Sequence, residues 1–224
     1  MQPDNRRRAG EAWARIALGE HASVPSFAKF VLELVGVGAP PHLLERAAAA
    51  IADEVRHARL AFGFASKLLD RPIGPTAFDV VGSIETQPTA SDICIATFCD
   101  GCIEEGIAAE QARYASEHTT GEAAGIWTII AAEEAVHADL AWMTVEWLLE
   151  QQPGLAATLW TRLGELEEDI RGSAALALAE DQNAGLEHYG ILSRRVLAEI
   201  AVEYYESTLR PRAHALLGKV SVPA

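Results

Sequence analysis

Two copies of a Glu-x-x-His pair constrain this chain more than any other feature of its sequence. Glu54 and His57 form the first pair, and Glu134 and His137 form the second. On an α-helix, residues three apart lie on one face with their Cβ atoms about 5–6 Å apart, so each pair can bind one metal ion. Both pairs lie among apolar residues that recur at helical spacing, and a buried carboxylate is costly unless it is paired or bound to a metal. The sequence therefore predicts two polar pairs on the buried faces of two helices.

The composition favours a single all-α domain over residues 1–224. Half of the 224 residues are hydrophobic, which is enough for one well-formed core, and β-branched runs are scarce. The net charge of −14 argues against nucleic acid or an anionic membrane as a partner, because both would repel the protein. Residues 1–10 lack the apolar core of a signal peptide, and no run approaches the roughly 20 apolar residues of a membrane span. The three cysteines, an odd number, suit a reducing compartment, so we expect a soluble cytoplasmic protein.

Helical periodicity and helix-breaking residues predict four long helices and two further ones. The first expected helix spans residues 11–34 with a kink at Pro25, and the second follows the breakers at residues 36–41 and runs to about residue 69. The others span residues 90–117, 121–150, 155–169 and 190–217, with a break near Pro211 in the last. The short connection before the second helix predicts an antiparallel hairpin, whereas residues 70–89 form a long link. Residues 11–150 are expected to form a four-helix bundle core, with residues 151–224 as a C-terminal helical extension.

Each half of the expected bundle also contributes one inward-facing glutamate. Glu20 is the only charge on the apolar stripe of the first helix. Adjacent helical residues point about 100° apart, so only one of Glu104 and Glu105 can face the core. Glu105 is preferred, because it lies seven residues after Phe98 on the apolar stripe. Four carboxylates in a core would repel one another, and two metal cations would neutralise them.

This pattern resembles the ferritin-like di-metal carboxylate superfamily over residues 11–150, which implies an all-α ferritin-like four-helix bundle with additional C-terminal helices. The resemblance implies two iron ions, with manganese or a mixed Mn/Fe pair as alternatives. Six residues fall on the metal-ligand positions and would form the catalytic centre: Glu20, Glu54, His57, Glu105, Glu134 and His137.

The five residues that begin at Asp53 are similar to the Asp-Glu-x-Arg-His motif of di-iron oxygenases. By that resemblance Asp53 would orient the ligand His137 from outside the metal site, and Arg56 completes the motif. In the second copy Glu133 stands in place of the aspartate, and a valine replaces the arginine. The support of His57 is therefore open, and the two metals could be inequivalent.

The resemblance implies a non-haem di-iron oxidase or oxygenase that activates O₂ and oxidises a small organic substrate. A separate protein would donate electrons, and the chain could form a homodimer. One alternative is iron oxidation and storage of the ferritin or bacterioferritin kind, which requires a hollow multimer. Another is peroxide reduction like that of rubrerythrin, although Cys99 and Cys102 form the one Cys-x-x-Cys motif. The remaining alternative is a bundle with buried ion pairs and no metal.

Overall fold

A computed structural model of the chain describes residues 3–77, 88–176 and 183–220. The described residues form helices and no strand, which confirms the all-α prediction. One π-helical segment spans Thr97–Glu105, and a second spans Tyr205–Leu209. One 3₁₀ turn lies at Glu187–Tyr189. The helices are α1 (Pro3–Gly36), α2 (Pro41–Leu69), α3 (Ala90–Ala96), α4 (Gly106–His118), α5 (Glu122–Gln151), α6 (Leu155–Leu176), α7 (Arg194–Tyr204) and α8 (Arg210–Leu217).

The helix ends differ from the expected ones in ways that local chemistry explains. α1 begins eight residues before the expected start at residue 11, because Arg7 pairs with Asp4 and Glu11 at helical spacing. The helix runs on through Pro25. The helix expected over residues 190–217 begins instead at Arg194, the first residue of α7, where the Ser193 hydroxyl accepts a hydrogen bond from the backbone N–H of Val196. Residues 78–87 of the expected long link lie outside the described residues.

The described residues group into two compact units, and the division falls within α4 and within α5. The first unit comprises the described residues of Met1–Gln87, Ala112–Glu133 and Asn183–Leu192, and the second comprises those of Pro88–Gln111, Glu134–Gln182 and Ser193–Ala224. The expected division into a core of residues 11–150 and an extension of residues 151–224 stays a prediction.

The core of the first unit is built around Trp13 of α1, which is fully buried. Its ring packs edge to face on Phe64 of α2 at 5.1 Å and lies 4.9 Å from the ring of Trp127 of α5. Its indole N–H donates to the carbonyl oxygen of Tyr189 at 2.8 Å. These aromatic contacts hold α1 and α2 together and thereby fix the two helix faces that carry the first group of candidate ligands.

The core of the second unit is built where the first π-helical segment meets α5. Phe98 packs edge to face on Trp142 at 6.0 Å. A Cβ atom added to Gly101 would lie 2.3 Å from the Cβ of Ala141, so the two backbones approach closely. At this pair, the small residues allow the two helical segments to pack closely. No described helix is long and apolar enough to cross a membrane.

Candidate metal centre

In the first unit, α1 and α2 bring together Glu20, Glu54 and His57, which we call the first ligand set. One possible ligand atom from each residue lies within 4.8 Å of the others. The Nδ1 atom of His57 lies 3.4 Å from a Glu20 carboxylate oxygen and 3.8 Å from a Glu54 carboxylate oxygen. The side chains of His57, Glu54 and Glu20 are 0%, 1% and 14% exposed, respectively. These three residues form a buried cluster that could hold a metal ion.

In the second unit, the π-helical segment and α5 bring together Glu105, Glu134 and His137, which we call the second ligand set. Here too, one possible ligand atom from each residue lies within 4.8 Å of the others. The Nδ1 atom of His137 lies 3.0 Å from a Glu134 oxygen and 4.0 Å from a Glu105 oxygen. The neighbouring Glu104 is exposed. The second unit thus repeats the two carboxylates and one imidazole of the first.

The donor chemistry of both sets fits a divalent metal ion. In each set the histidine turns Nδ1 towards two carboxylates, and a metal ligand must offer a lone pair from that nitrogen. The Nε2 atom of His57 lies 2.8 Å from Oε2 of Glu133. When Nε2 carries the ring proton and donates a hydrogen bond to this carboxylate, the lone pair on Nδ1 stays available to a metal. A lone pair that faces carboxylate oxygens in a buried site is repulsive, and a cation between them reverses the sign of that interaction.

Glu133 supplies the support of His57 that the sequence left open. Its carboxylate accepts from the His57 ring on one side and is held by Arg56 on the other. Arg56 binds it through two nitrogens, Nη2 at 2.6 Å from Oε1 and Nε at 3.1 Å from Oε2, and also pairs with Asp53. The hydrogen bond to Glu133 is the main reason that the pKa of Arg56 is raised. The expected orientation of His137 by Asp53 stays a prediction.

Sequence reasoning missed the π-helical segment that carries Glu105. Glu105 is its last residue, and the N–H of Gly106 donates to the carbonyl of Ile103 rather than to that of Cys102. A count of residues at the α-helical period cannot reveal the extra residue in each π turn. The sequence signal for this segment is its two glycines, Gly101 and Gly106. Glycine destabilises a helix, so its presence there indicates that another part of the protein approaches the backbone closely.

The three cysteines are free thiols. Cys94 and Cys102 are buried, and burial raises the pKa of Cys94 to about 12 and that of Cys102 well above its ordinary value. Both therefore stay protonated near neutral pH and are poor metal ligands. Cys99 is partly exposed and accepts a hydrogen bond from Arg162 at 3.3 Å.

Comparison of the chain with known protein families, with curated proteins and with solved structures found no match. The assignment of a metal site therefore depends on the residues alone. Each unit has a buried Glu/His cluster that could hold a metal ion, and these clusters are compatible with a di-metal carboxylate site.

Proposed function

We propose that the two ligand sets form one dinuclear site in a ferritin-like four-helix bundle, at which the protein activates O₂ and oxidises a small organic substrate. The observation that carries the proposal is the position of two adjacent residues in α5. Glu133 bonds the histidine of the first ligand set, and Glu134 belongs to the second. Because Glu133 and Glu134 are consecutive residues of α5, this one helix contributes a supporting residue to the first set and a ligand to the second.

The charge of the ligands supports two metal ions. The two sets together hold four carboxylates and two imidazoles, which two divalent cations would neutralise. Carboxylate and imidazole ligands suit iron, and they also suit manganese or a mixed Mn/Fe pair. Two iron ions bound there would supply redox chemistry towards O₂ that no side chain provides.

The protein's own residues would bind, orient and shield the metals. The ligand carboxylates and imidazoles bind, while Glu133 and Arg56 fix the ring of His57 from outside the set. Burial of Glu54, His57, Glu134 and His137 keeps bulk water from the ligands. The partners that this activity requires are O₂, a small organic substrate and a separate electron donor. A reducing compartment such as the cytoplasm, in which free cysteines persist, is the expected location.

The proposal is tested by loading the metal-free protein with Fe(II) under anaerobic conditions. We expect about two irons per chain and a change in the optical spectrum when O₂ is admitted. The Glu105→Ala variant should bind at least one iron fewer per chain. The Glu104→Ala variant, which removes the exposed neighbouring carboxylate, should bind as many irons as the wild type. The matched pair separates loss of a ligand from a general effect of removing an acidic side chain.

The same experiment separates the alternatives. Uptake of many irons per chain into a large assembly would instead indicate iron storage of the ferritin or bacterioferritin kind. Faster oxidation of the loaded iron by hydrogen peroxide than by O₂ would indicate peroxide reduction like that of rubrerythrin. If the wild-type protein binds no iron, cobalt or manganese in a fixed ratio, the buried residues are ion pairs and the dinuclear site is wrong.

A further inference from the structure

The hydroxyl of Tyr204 reaches the π-helical segment that carries Glu105. Tyr204 is the last residue of α7, and its hydroxyl donates to the carbonyl oxygen of Cys102 at 2.7 Å. In a regular α-helix that carbonyl would accept from the N–H of Gly106. Here the N–H of Gly106 donates to Ile103 instead. Tyr204 therefore supplies a donor to a carbonyl that has lost its α-helical partner.

The contact leaves no room for a side chain at position 106. A Cβ atom on Gly106 would lie 1.9 Å from the Tyr204 hydroxyl oxygen and 2.3 Å from the carbon that bears it. Glycine inside a helix lowers stability relative to alanine. The close approach of the phenol therefore explains why the position next to Glu105 is a glycine.

The Tyr204 hydroxyl also accepts a hydrogen bond from a side chain of α5. The indole of Trp142 donates to the Tyr204 oxygen, while burial, the larger effect, raises the pKa of Tyr204 to about 12. The phenol thus keeps its proton and remains a donor to Cys102 near neutral pH. Trp142 is buried and lies five residues after His137 on α5. Tyr204 consequently joins the two helical segments that carry the second ligand set.

We infer that Tyr204 is a positioning residue whose hydroxyl holds the π-helical segment in the register that turns Glu105 towards His137. A return of this segment to α-helical bonding would rotate Glu105 about the helix axis, because an α turn contains fewer residues than a π turn. The inference rests on the proposed function, since it treats Glu105 as a metal ligand. Its effect on the backbone can nevertheless be measured without any metal.

The first test is amide hydrogen exchange of residues 97–106 in the metal-free protein. Tyr204→Phe keeps the ring and removes the hydroxyl, and we expect exchange about tenfold faster in this segment, as for the loss of one hydrogen bond. Tyr189→Phe is the matched control, because among the described residues the buried Tyr189 hydroxyl has no hydrogen-bond partner. Unchanged exchange in Tyr204→Phe would overturn the inference. Gly106→Ala, which displaces the phenol by another route, should accelerate exchange in the same residues.

The second test is anaerobic titration with Co(II), followed by its visible absorption. The wild type and Tyr189→Phe should bind two ions per chain, whereas Tyr204→Phe should bind one of them about tenfold more weakly. Two ions bound with wild-type affinity in Tyr204→Phe would contradict the positioning role. A wild type that binds no cobalt would count against the proposed dinuclear site, and the exchange experiment would still decide the role of Tyr204 in the backbone.

Discussion

The Nε2 atom of His57 lies 2.8 Å from a carboxylate oxygen of Glu133. Glu133 is next in sequence to a residue of the second ligand set, but its own carboxylate supports the histidine of the first. A hydrogen bond of this kind fixes both the tautomer and the ring angle of a ligand histidine. In the proposed metal site, this arrangement would make the affinity for the metal depend on residues outside the ligand set.

Replacement of Glu133 should weaken metal binding without removing a ligand. We expect Glu133→Ala to lower the affinity of one metal ion about 10- to 100-fold, because His57 loses its acceptor. Titration with Fe(II) or Co(II) measures the change. Glu146→Ala, an exposed glutamate on the same helix, is the control and should bind as the wild type does. Equal affinities in the two variants would show that Glu133 does not orient His57.

Arg56 should act on the metal only through Glu133. Its planar guanidinium binds the Glu133 carboxylate through two nitrogens, a geometry that lysine cannot reproduce. We expect Arg56→Lys to weaken metal binding less than Glu133→Ala does. The double variant Arg56→Lys/Glu133→Ala should be no weaker than Glu133→Ala alone, which a double-mutant cycle of metal affinities tests. Additive losses would mean that Arg56 acts by a separate route.

The cysteines should differ in reactivity according to their burial. Iodoacetamide at pH 8 should modify Cys99 in the folded protein and leave Cys94 and Cys102 unmodified, whereas all three react after denaturation; mass spectrometry of digested protein distinguishes these results.

The folded-state pKa of Cys94, about 12, lies above its ordinary value of 9.0. The unfolded chain therefore releases this proton first, and this group's contribution to stability, present below about pH 9, is lost as the pH rises towards 12.

The close approach of Gly101 to Ala141 should make the second unit intolerant of larger side chains. Gly101→Ala places a methyl group 2.3 Å from the Ala141 Cβ, and we expect a loss of about 1–3 kcal/mol in the free energy of unfolding. Urea denaturation measures it. Gly125→Ala is the control, because a Cβ there meets nothing within 4 Å and alanine favours the helix by about 1 kcal/mol. Ala141→Gly in the Gly101→Ala background should restore part of the stability.

Local spacing explains why the sequence predicts much of the candidate site. The pairs Glu54 with His57 and Glu134 with His137 depend only on the geometry of one helix, and the structure places each pair with a third carboxylate. The roles of Glu133 and Tyr204 depend on contacts between segments 76 and 102 residues apart. No periodicity within one helix encodes such contacts. The glycine beside Glu105 carried the signal, but its meaning required the position of the phenol.

Buried carboxylates that bind metal should stabilise the loaded protein and destabilise the metal-free one. Without metal, the carboxylates of one set repel one another, so Glu134→Gln should raise the melting temperature of the metal-free protein. With metal at about 100 times its Kd, the wild type should gain about 2.7 kcal/mol, and the variant should gain less because a ligand is lost. Thermal denaturation with and without Co(II) should therefore reverse the stability order of the two proteins. If Glu134→Gln is the less stable protein in both conditions, the carboxylate contributes through pairing with His137 rather than through a metal.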